Sequence, residues 1–199
     1  QDVATLEITL MGPTLRFDAP AVIAMTGADL SPTLNDAPAP MGRPLVVRPG
    51  DVLSFGARRS GVRTYLAWHG GIDLPPVMGS QSTWLRGQLG GFQGRALRKD
   101  DVLPLVAEFR PGDLDALARD LDAMSIYLPS TLANNPRERL RVMWGPHTGL
   151  FTRESIQTLL NNAYRIANES DRMGYRLQGP ALHLKENRQL LSEGATFGS

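Results

Sequence analysis

Leu6-Glu7-Ile8-Thr9-Leu10-Met11-Gly12-Pro13-Thr14-Leu15-Arg16-Phe17 decides the fold class. Leu6, Ile8 and Leu10 alternate with Glu7 and Thr9, the period of a half-buried strand. Gly12-Pro13 breaks that run, and Leu15 and Phe17 resume it. The design returns as Leu177-Gln178-Gly179-Pro180-Ala181-Leu182-His183-Leu184, again strand, Gly-Pro kink, strand. Such an echo predicts two related β subdomains, divided near Arg110-Pro111-Gly112.

The rest of the first hundred residues reads as short strands cut by Gly and Pro. Ala21 to Met25 is an apolar run that stops at Thr26-Gly27. Residues 31–44 carry Pro32, Pro38, Pro40 and Pro44, which predicts turn. Leu45–Val47 and Val52–Phe55 flank Arg48-Pro49-Gly50-Asp51 and predict a hairpin. Arg63–Trp68 is rich in strand formers and ends at Gly70-Gly71. Two helices are expected. Residues 113–124 set Leu114, Leu117, Ala118, Leu121 and Met124 on one face, with Asp113 as cap. Residues 152–163 do the same with Ile156, Leu159, Leu160 and Ala163, capped by Thr152 and favoured by Glu154. Leu140–Trp144 reads as a strand, and Tyr164, Ile166 and Asn168 suggest a return strand.

Composition narrows the class. The 199 residues suffice for one large domain or two small ones, and 42% hydrophobic with 21% charged content is ordinary for a globular protein. Twenty Gly and fifteen Pro favour a turn-rich β protein over a helical bundle. A net charge of +1, with arginines scattered, offers no field for nucleic acid or a membrane surface. The absence of Cys removes disulfides, thiolate metal sites and a cysteine nucleophile, and mildly favours the cytoplasm. The first residue is Gln, so the start is read as processed, trimmed or omitted.

Two concentrations could carry chemistry. Gly70-Gly71-Ile72-Asp73-Leu74-Pro75, then Gly79-Ser80-Gln81-Ser82-Thr83, then Gly90-Gly91-Phe92-Gln93-Gly94-Arg95 bring glycines, hydroxyls and a guanidinium close in sequence. Glycine lets backbone approach a ligand, and Arg95 could grip a carboxylate; loop architecture alone is the competing reading. The spacing is neither a P-loop nor a dinucleotide fingerprint. Ser170-Asp171-Arg172-Met173-Gly174-Tyr175-Arg176 could bind a carboxylate through its arginines or could simply brace a bend. Composition alone favours the bend. His69, His147 and His183 have no metal-ligand spacing, and Trp68, Trp84 and Trp144 sit beside apolar residues, which predicts core packing.

Taken in order, these runs resemble one family. Gly61-Val62-Arg63-Thr64-Tyr65-Leu66-Ala67, Gly70-Gly71, Gly79-Ser80-Gln81-Ser82-Thr83, Gly90-Gly91 and Gly94-Arg95 are followed by Gly145-Pro146-His147 and Phe151-Thr152. Ser170 through Gly174, Arg176-Leu177, Gly179-Pro180 and Ser192-Glu193-Gly194 complete the series. The chain thus resembles the carboxyltransferase-like family that holds a 5-oxoprolinase subunit, allophanate hydrolase subunit 2 and subdomains A and B of the urea carboxylase carboxyltransferase domain. His147 departs from the family's usual Gln, and Thr148-Gly149 stands where an acidic residue is common.

The resemblance implies a mainly β protein with a few helices (α+β), built as two cyclophilin-like β-barrel subdomains that are incomplete in this chain. Residues 1–110 would be subdomain A lacking its N-terminal part, and 111–199 subdomain B lacking its C-terminal part. Family members continue past both ends, so the segment is expected to need a partner or a longer parent chain. It implies a cytoplasmic subunit of an ATP-dependent 5-oxoprolinase, converting 5-oxoproline to glutamate beside a smaller, kinase-inhibitor-like subunit and a third subunit. ATP is expected at the level of the complex, with no metal and no biotin attachment motif in this chain. Arg63, Tyr65, Ser80, Ser82, Arg95, Asp171, Arg172 and Arg176 are the expected substrate-binding residues. Three alternatives accompany this reading. One is a regulatory protein that sequesters the kinase-inhibitor-like partner, another a component of a biotin-dependent urea carboxylase, and the last a family member without activity.

Overall fold

Strand alternation of the kind read from Leu6 onward organises the first part of the chain, although the strand there ends at Thr9 and Leu10 leaves it, exposed and with φ of 62°. A computed structural model describes residues 3–123, 142–170, 174–186 and 194. The chain divides into two compact units, Gln1–Arg137 and Glu138–Ser199. The protein is mainly β, with two α-helices among the described residues.

In the first unit, β1 (Leu6–Thr9), β3 (Ala21–Asp29), β6 (Pro44–Val47) and β8 (Ser60–Trp68) form one antiparallel sheet in the order β1-β8-β3-β6. A second sheet has the order β2-β7-β4-β5, from β2 (Leu15–Arg16), β4 (Thr33–Leu34), β5 (Ala37–Pro38) and β7 (Val52–Ser54). One core joins them: Ile8, Ile23, Met25, Val47, Leu66 and Trp68 from the first sheet meet Leu53 from the second, with Phe17 among them. Leu53 and Leu66 are fully buried, each contributing about 1.5–3 kcal/mol relative to an exposed side chain. The described strands close no barrel.

Several expectations are corrected. Leu45–Val47 and Val52–Phe55 do not pair with each other. β6 pairs with β3, while β7 pairs with β2 and β4, so Arg48-Pro49-Gly50-Asp51 is a corner between sheets. Phe17 holds that corner: its carbonyl accepts from Gly50 N–H at 2.7 Å, and its N–H donates to the Asp51 carbonyl at 2.9 Å. The 31–44 stretch is less turn-like than its prolines imply. It contains the β4–β5 hairpin, turned by Asn35 and Asp36 with φ of 50° and 63°. Asn and Asp tolerate this left-handed conformation, and Pro38 needs no N–H partner on an edge strand. β3 does not stop at Thr26-Gly27 either; it continues to Asp29 through a bulge. Gly27, at φ 98°, lies against the Arg63 carbonyl oxygen, where a Cβ would collide.

α1 (Pro111–Ala123) begins two residues before the expected cap, with Pro111 in the first turn, where its missing N–H costs nothing. Leu114 is buried as its periodicity predicts, α1 packs on β6, and Arg48 Nη2 pairs with Asp115 at 2.6 Å.

In the second unit, α2 (Arg153–Asn161) is capped by Thr152 as expected, its side chain accepting from Ser155 N–H at 3.2 Å. The Glu154 carboxyl lies below its ordinary range, held by its own N–H and the Thr152 hydroxyl. The expected apolar face is not the buried one: Leu159 and Leu160 are exposed, and Ser155 is the buried residue. The return strand exists as β9 (Arg165–Ile166), paired with β10 (Leu177–Gln178). Residues 142–144 form no strand, and 140–141 lie outside the described residues. Trp84 and Trp144 are exposed rather than in the core, unlike Trp68. No described helix is long and apolar enough to cross a membrane.

Candidate functional site

β8 ends at Trp68, and at Gly70-Gly71, both left-handed, the chain leaves the sheet. It is tied back where Ile72 bridges Leu105, Asp73 N–H donates to the Pro104 carbonyl (2.8 Å) and Val106 N–H to that of Gly71 (3.2 Å). Between these ties runs the glycine-rich excursion read in the sequence. Val77 and Ser80 exchange backbone bonds of 2.8 and 3.0 Å around Met78 and Gly79, whose positive φ angles suit a two-residue turn. Trp84 and Leu89 do likewise at 2.8 and 3.2 Å.

Gln81 fastens the excursion to the sheet. Its Oε1 accepts from Ala4 N–H (3.1 Å) and its Nε2 donates to the Leu74 carbonyl (2.8 Å). The result is a groove of about 420 Å³ with apolar walls of Leu74, Pro75, Val77, Leu89, Phe92 and Pro104, completed by the 88–94 loop. Gln88, Gly90, Gly91, Gln93 and Gly94 of that loop all have positive φ. Glycine is needed at position 94, where a Cβ would strike the Gln88 carbonyl.

Arg95 closes the loop. Its Nη1 donates to Asp101 Oδ2 (2.7 Å) and the Ala96 carbonyl (3.0 Å); its Nη2 donates to Asp101 Oδ1 (2.8 Å) and Gln93 Oε1 (2.9 Å). The guanidinium carbon stands 5.3 Å from the centre of the Phe92 ring, within cation–π range. The Arg95 fork, helped by the Arg98 N–H, holds the Asp101 carboxyl down at about 2, and the same hydrogen bond raises Arg95.

The other expected residues are placed as follows. Arg63 and Tyr65 share one face of β8, opposite to buried Thr64 and Leu66, and Arg63 Nε lies 3.4 Å from Glu7 Oε1. Ser80 and Ser82 are exposed, Ser80 Oγ accepting from Ser82 N–H at 3.1 Å. Arg176 is exposed in the second unit, where its N–H donates to Ser170 Oγ at 2.9 Å. Asp171 and Arg172 lie outside the described residues. Ser80, Ser82 and Arg95 thus share one excursion, with Arg63 and Tyr65 on the strand leading to it, but the groove is lined by their neighbours rather than by these five side chains.

Two participants escaped the sequence reading. Gln81 lies between the two serines of Gly79-Ser80-Gln81-Ser82-Thr83, a run read for its hydroxyls, and Asp101 sits in Lys99-Asp100-Asp101, an unremarkable surface run. A second cleft, of about 240 Å³, lies by Asp29, Ser31 and Arg59. Its polar groups are engaged: Asp29 Oδ1 accepts from Ser31 N–H, and Ser31 Oγ donates to the Ala57 carbonyl, both at 2.8 Å. The described residues contain no cluster of His, Asp and Glu suited to a metal ion.

Comparison with known proteins places this geometry. Residues 1–199 match the family model of the carboxyltransferase domain, subdomain A and B. The chain is 36% identical to a 5-oxoprolinase subunit of Escherichia coli K12 over 193 residues, covering 97% of this chain and 58% of that protein. It is 35% identical to urea amidolyase of Saccharomyces cerevisiae over 177 residues, covering 88% of this chain and 10% of that one. The crystal structure of the Kluyveromyces lactis urea carboxylase superposes with a TM-score of 0.69 at 34% identity, over 92% of this chain and 16% of its own. The chain therefore spans little more than half of one of these relatives and a small part of the others. By sequence over its whole length, and by fold, it belongs to the carboxyltransferase domain family of subdomains A and B.

Proposed function

We propose that the chain is part of one component of an ATP-dependent 5-oxoprolinase that opens the lactam of 5-oxoproline to glutamate within a multi-subunit, cytoplasmic complex. The observation that carries this reading is the 97% coverage of the chain by its match to the Escherichia coli 5-oxoprolinase subunit, of which it spans 58%. Its share of urea amidolyase is 10%. The groove supports the reading physically, because apolar walls about a 420 Å³ space suit the flat ring of a small lactam.

In this proposal the hydroxyls of Ser80 and Ser82 orient the amide, Arg63 and Tyr65 bind substrate from the first unit, and Arg95 belongs to the loop beside them. Arg176, with Asp171 and Arg172 beside it in sequence, is assigned to substrate binding by the family resemblance alone. ATP is assigned to the level of the complex, as the family resemblance implies. A smaller, kinase-inhibitor-like subunit and a third subunit complete the assembly. Residues 1–110 are assigned to subdomain A and 111–199 to subdomain B.

A second reading has its own support. Met78, Trp84 and Leu85 are exposed beside the groove, as a surface that binds a protein partner would be. Under it the chain sequesters a kinase-inhibitor-like protein without turnover. The urea carboxylase relatives favour a carboxyltransferase role instead, with biotin on another chain. The test is to purify the full-length protein with its co-purifying subunits and assay ATP-dependent glutamate release from 5-oxoproline, with urea carboxylation in parallel. Glutamate release is expected. Partner binding without it, or urea turnover alone, would reject the first reading for the corresponding alternative.

A further inference from the structure

We propose that Arg95 acts as a positioning residue: with Asp101 it forms a clasp that fixes the Gly90–Gly94 wall of the groove, and neither charge meets the bound molecule. This rests on the reading of the groove as the substrate site. Both terminal nitrogens of the guanidinium are engaged. Its Nη1 and Nη2 each bind one Asp101 oxygen, at 2.7 and 2.8 Å, and each also meets a second acceptor, the Ala96 carbonyl or Gln93 Oε1. Asp101 Oδ2 takes a further bond from Arg98 N–H at 2.6 Å. The Arg95 and Asp101 side chains are only 24% and 15% exposed.

The wall needs such a hold. Gly90, Gly91, Gln93 and Gly94 have φ angles of 70°, 52°, 54° and 67°, and three of the four are glycines with many competing conformations in a free loop. Gln93 is in the left-handed region without a glycine's freedom, which costs energy unless neighbours over-determine it. Arg95 supplies that constraint from behind. It binds the Gln93 side chain, lies over the ring of Phe92, and is anchored by Asp101 beyond the loop. A bidentate Arg–carboxylate pair adds direction as well as strength, so Lys cannot replace it.

The experiment uses the full-length protein with its partner subunits, as Arg95→Lys, Asp101→Asn and the charge exchange R95D/D101R. Amide hydrogen exchange of residues 88–95 reports the clasp directly. KM for 5-oxoproline and Ki for the neutral lactam 2-pyrrolidinone report the groove. Both single variants are expected to speed exchange of this segment about tenfold, and to weaken both ligands by the same factor, with partial rescue in the charge exchange. Asp101→Asn is decisive, because it frees the guanidinium. If Arg95 instead gripped the substrate carboxylate, this variant would bind 5-oxoproline as well as or better than the wild type. Unchanged exchange at 90–94, or weakening confined to the carboxylate-bearing ligand, would overturn the clasp. Failure of the wild type to release glutamate would reject the lactam reading alone, since exchange judges the clasp without turnover.

Discussion

Gln81 accepts a hydrogen bond from the backbone N–H of Ala4 at 3.1 Å, so the glycine-rich excursion is tied to the start of the first sheet across 77 residues of chain. The same amide donates to the Leu74 carbonyl at 2.8 Å, on one wall of the groove. Gln81→Ala removes both bonds and is expected to cost about 1–3 kcal/mol, read as a lower midpoint in urea unfolding of the full-length protein. Gln81→Glu keeps the acceptor and loses the donor. It should preserve protection of the Ala4 amide against hydrogen exchange, which Gln81→Ala loses, while still destabilising; unchanged protection in Gln81→Ala would mean that Ala4 is held by something else.

Thr64 is fully buried in β8 and donates its hydroxyl to the Ala28 carbonyl at 2.5 Å. That bond serves the bulged part of β3, where register shifts between Gly27 and Asp29. Thr64→Val keeps the shape and strands the carbonyl, so a loss of about 1–3 kcal/mol is expected. Thr64→Ser retains the hydroxyl and loses one methyl, about 1 kcal/mol by the usual worth of a buried carbon. Urea unfolding of the two variants orders them; Thr64→Val as stable as wild type would remove the bond from any stabilising role.

Much of the fold was legible because its signals are local. Alternation at Leu6–Thr9 and Arg63–Trp68, the Thr152 cap and the buried Leu114 all report on one segment's own geometry. Strand partners do not. Arg48-Pro49-Gly50-Asp51 announces a reversal, yet Leu53 pairs with Leu15 and Leu34 rather than across that turn. Gly27 read as a stop because a strand-interior glycine carries the same letter whether it ends a strand or bulges it. In the candidate site, the glycines of 70–94 were visible, and Arg95 drew attention as a cation. Its partner Asp101, and Gln81, act through bonds that depend on tertiary placement, and neither has a sequence signature.

Ser155 joins α2 to the last described segment of its unit. Its Oγ accepts from His183 N–H at 2.7 Å and donates to the His183 carbonyl at 3.1 Å, inside a site where Ser155 itself is buried. The apolar face of α2 is largely exposed, so these polar bonds hold the helix where burial does not. Ser155→Ala removes both bonds to the backbone of exposed His183, and a loss of about 1 kcal/mol is expected. Exchange at the His183 and Lys185 amides should rise, Lys185 N–H being bonded to the Leu150 carbonyl at 2.8 Å beside it. Unaltered exchange at both would show that α2 is held by other contacts.

Acid should release the Arg95 clasp within a defined window. The Asp101 carboxyl is held at about 2, down from 3.8, first by the Arg95 fork and then by the Arg98 N–H. A carboxyl whose pKa is lower folded than unfolded stabilises the folded form fully above its unfolded pKa, and that stabilisation fades as pH falls through the folded value. The contribution of Asp101 is therefore complete above about pH 4 and lost on the way down to about pH 2. Glu154 also lies low and titrates in acid, so a whole-protein melt would mix the two. The Asp101 side-chain carbonyl shift, followed by carbon NMR, separates them and is expected to show a midpoint at about 2. Asp101→Asn should abolish that transition and leave exchange of the 88–95 amides fast already at neutral pH. Arg95→Lys should move the Asp101 midpoint upward toward 3.8 as the bidentate bond is lost. A wild-type midpoint already at 3.8 would mean that the two side chains do not meet in solution.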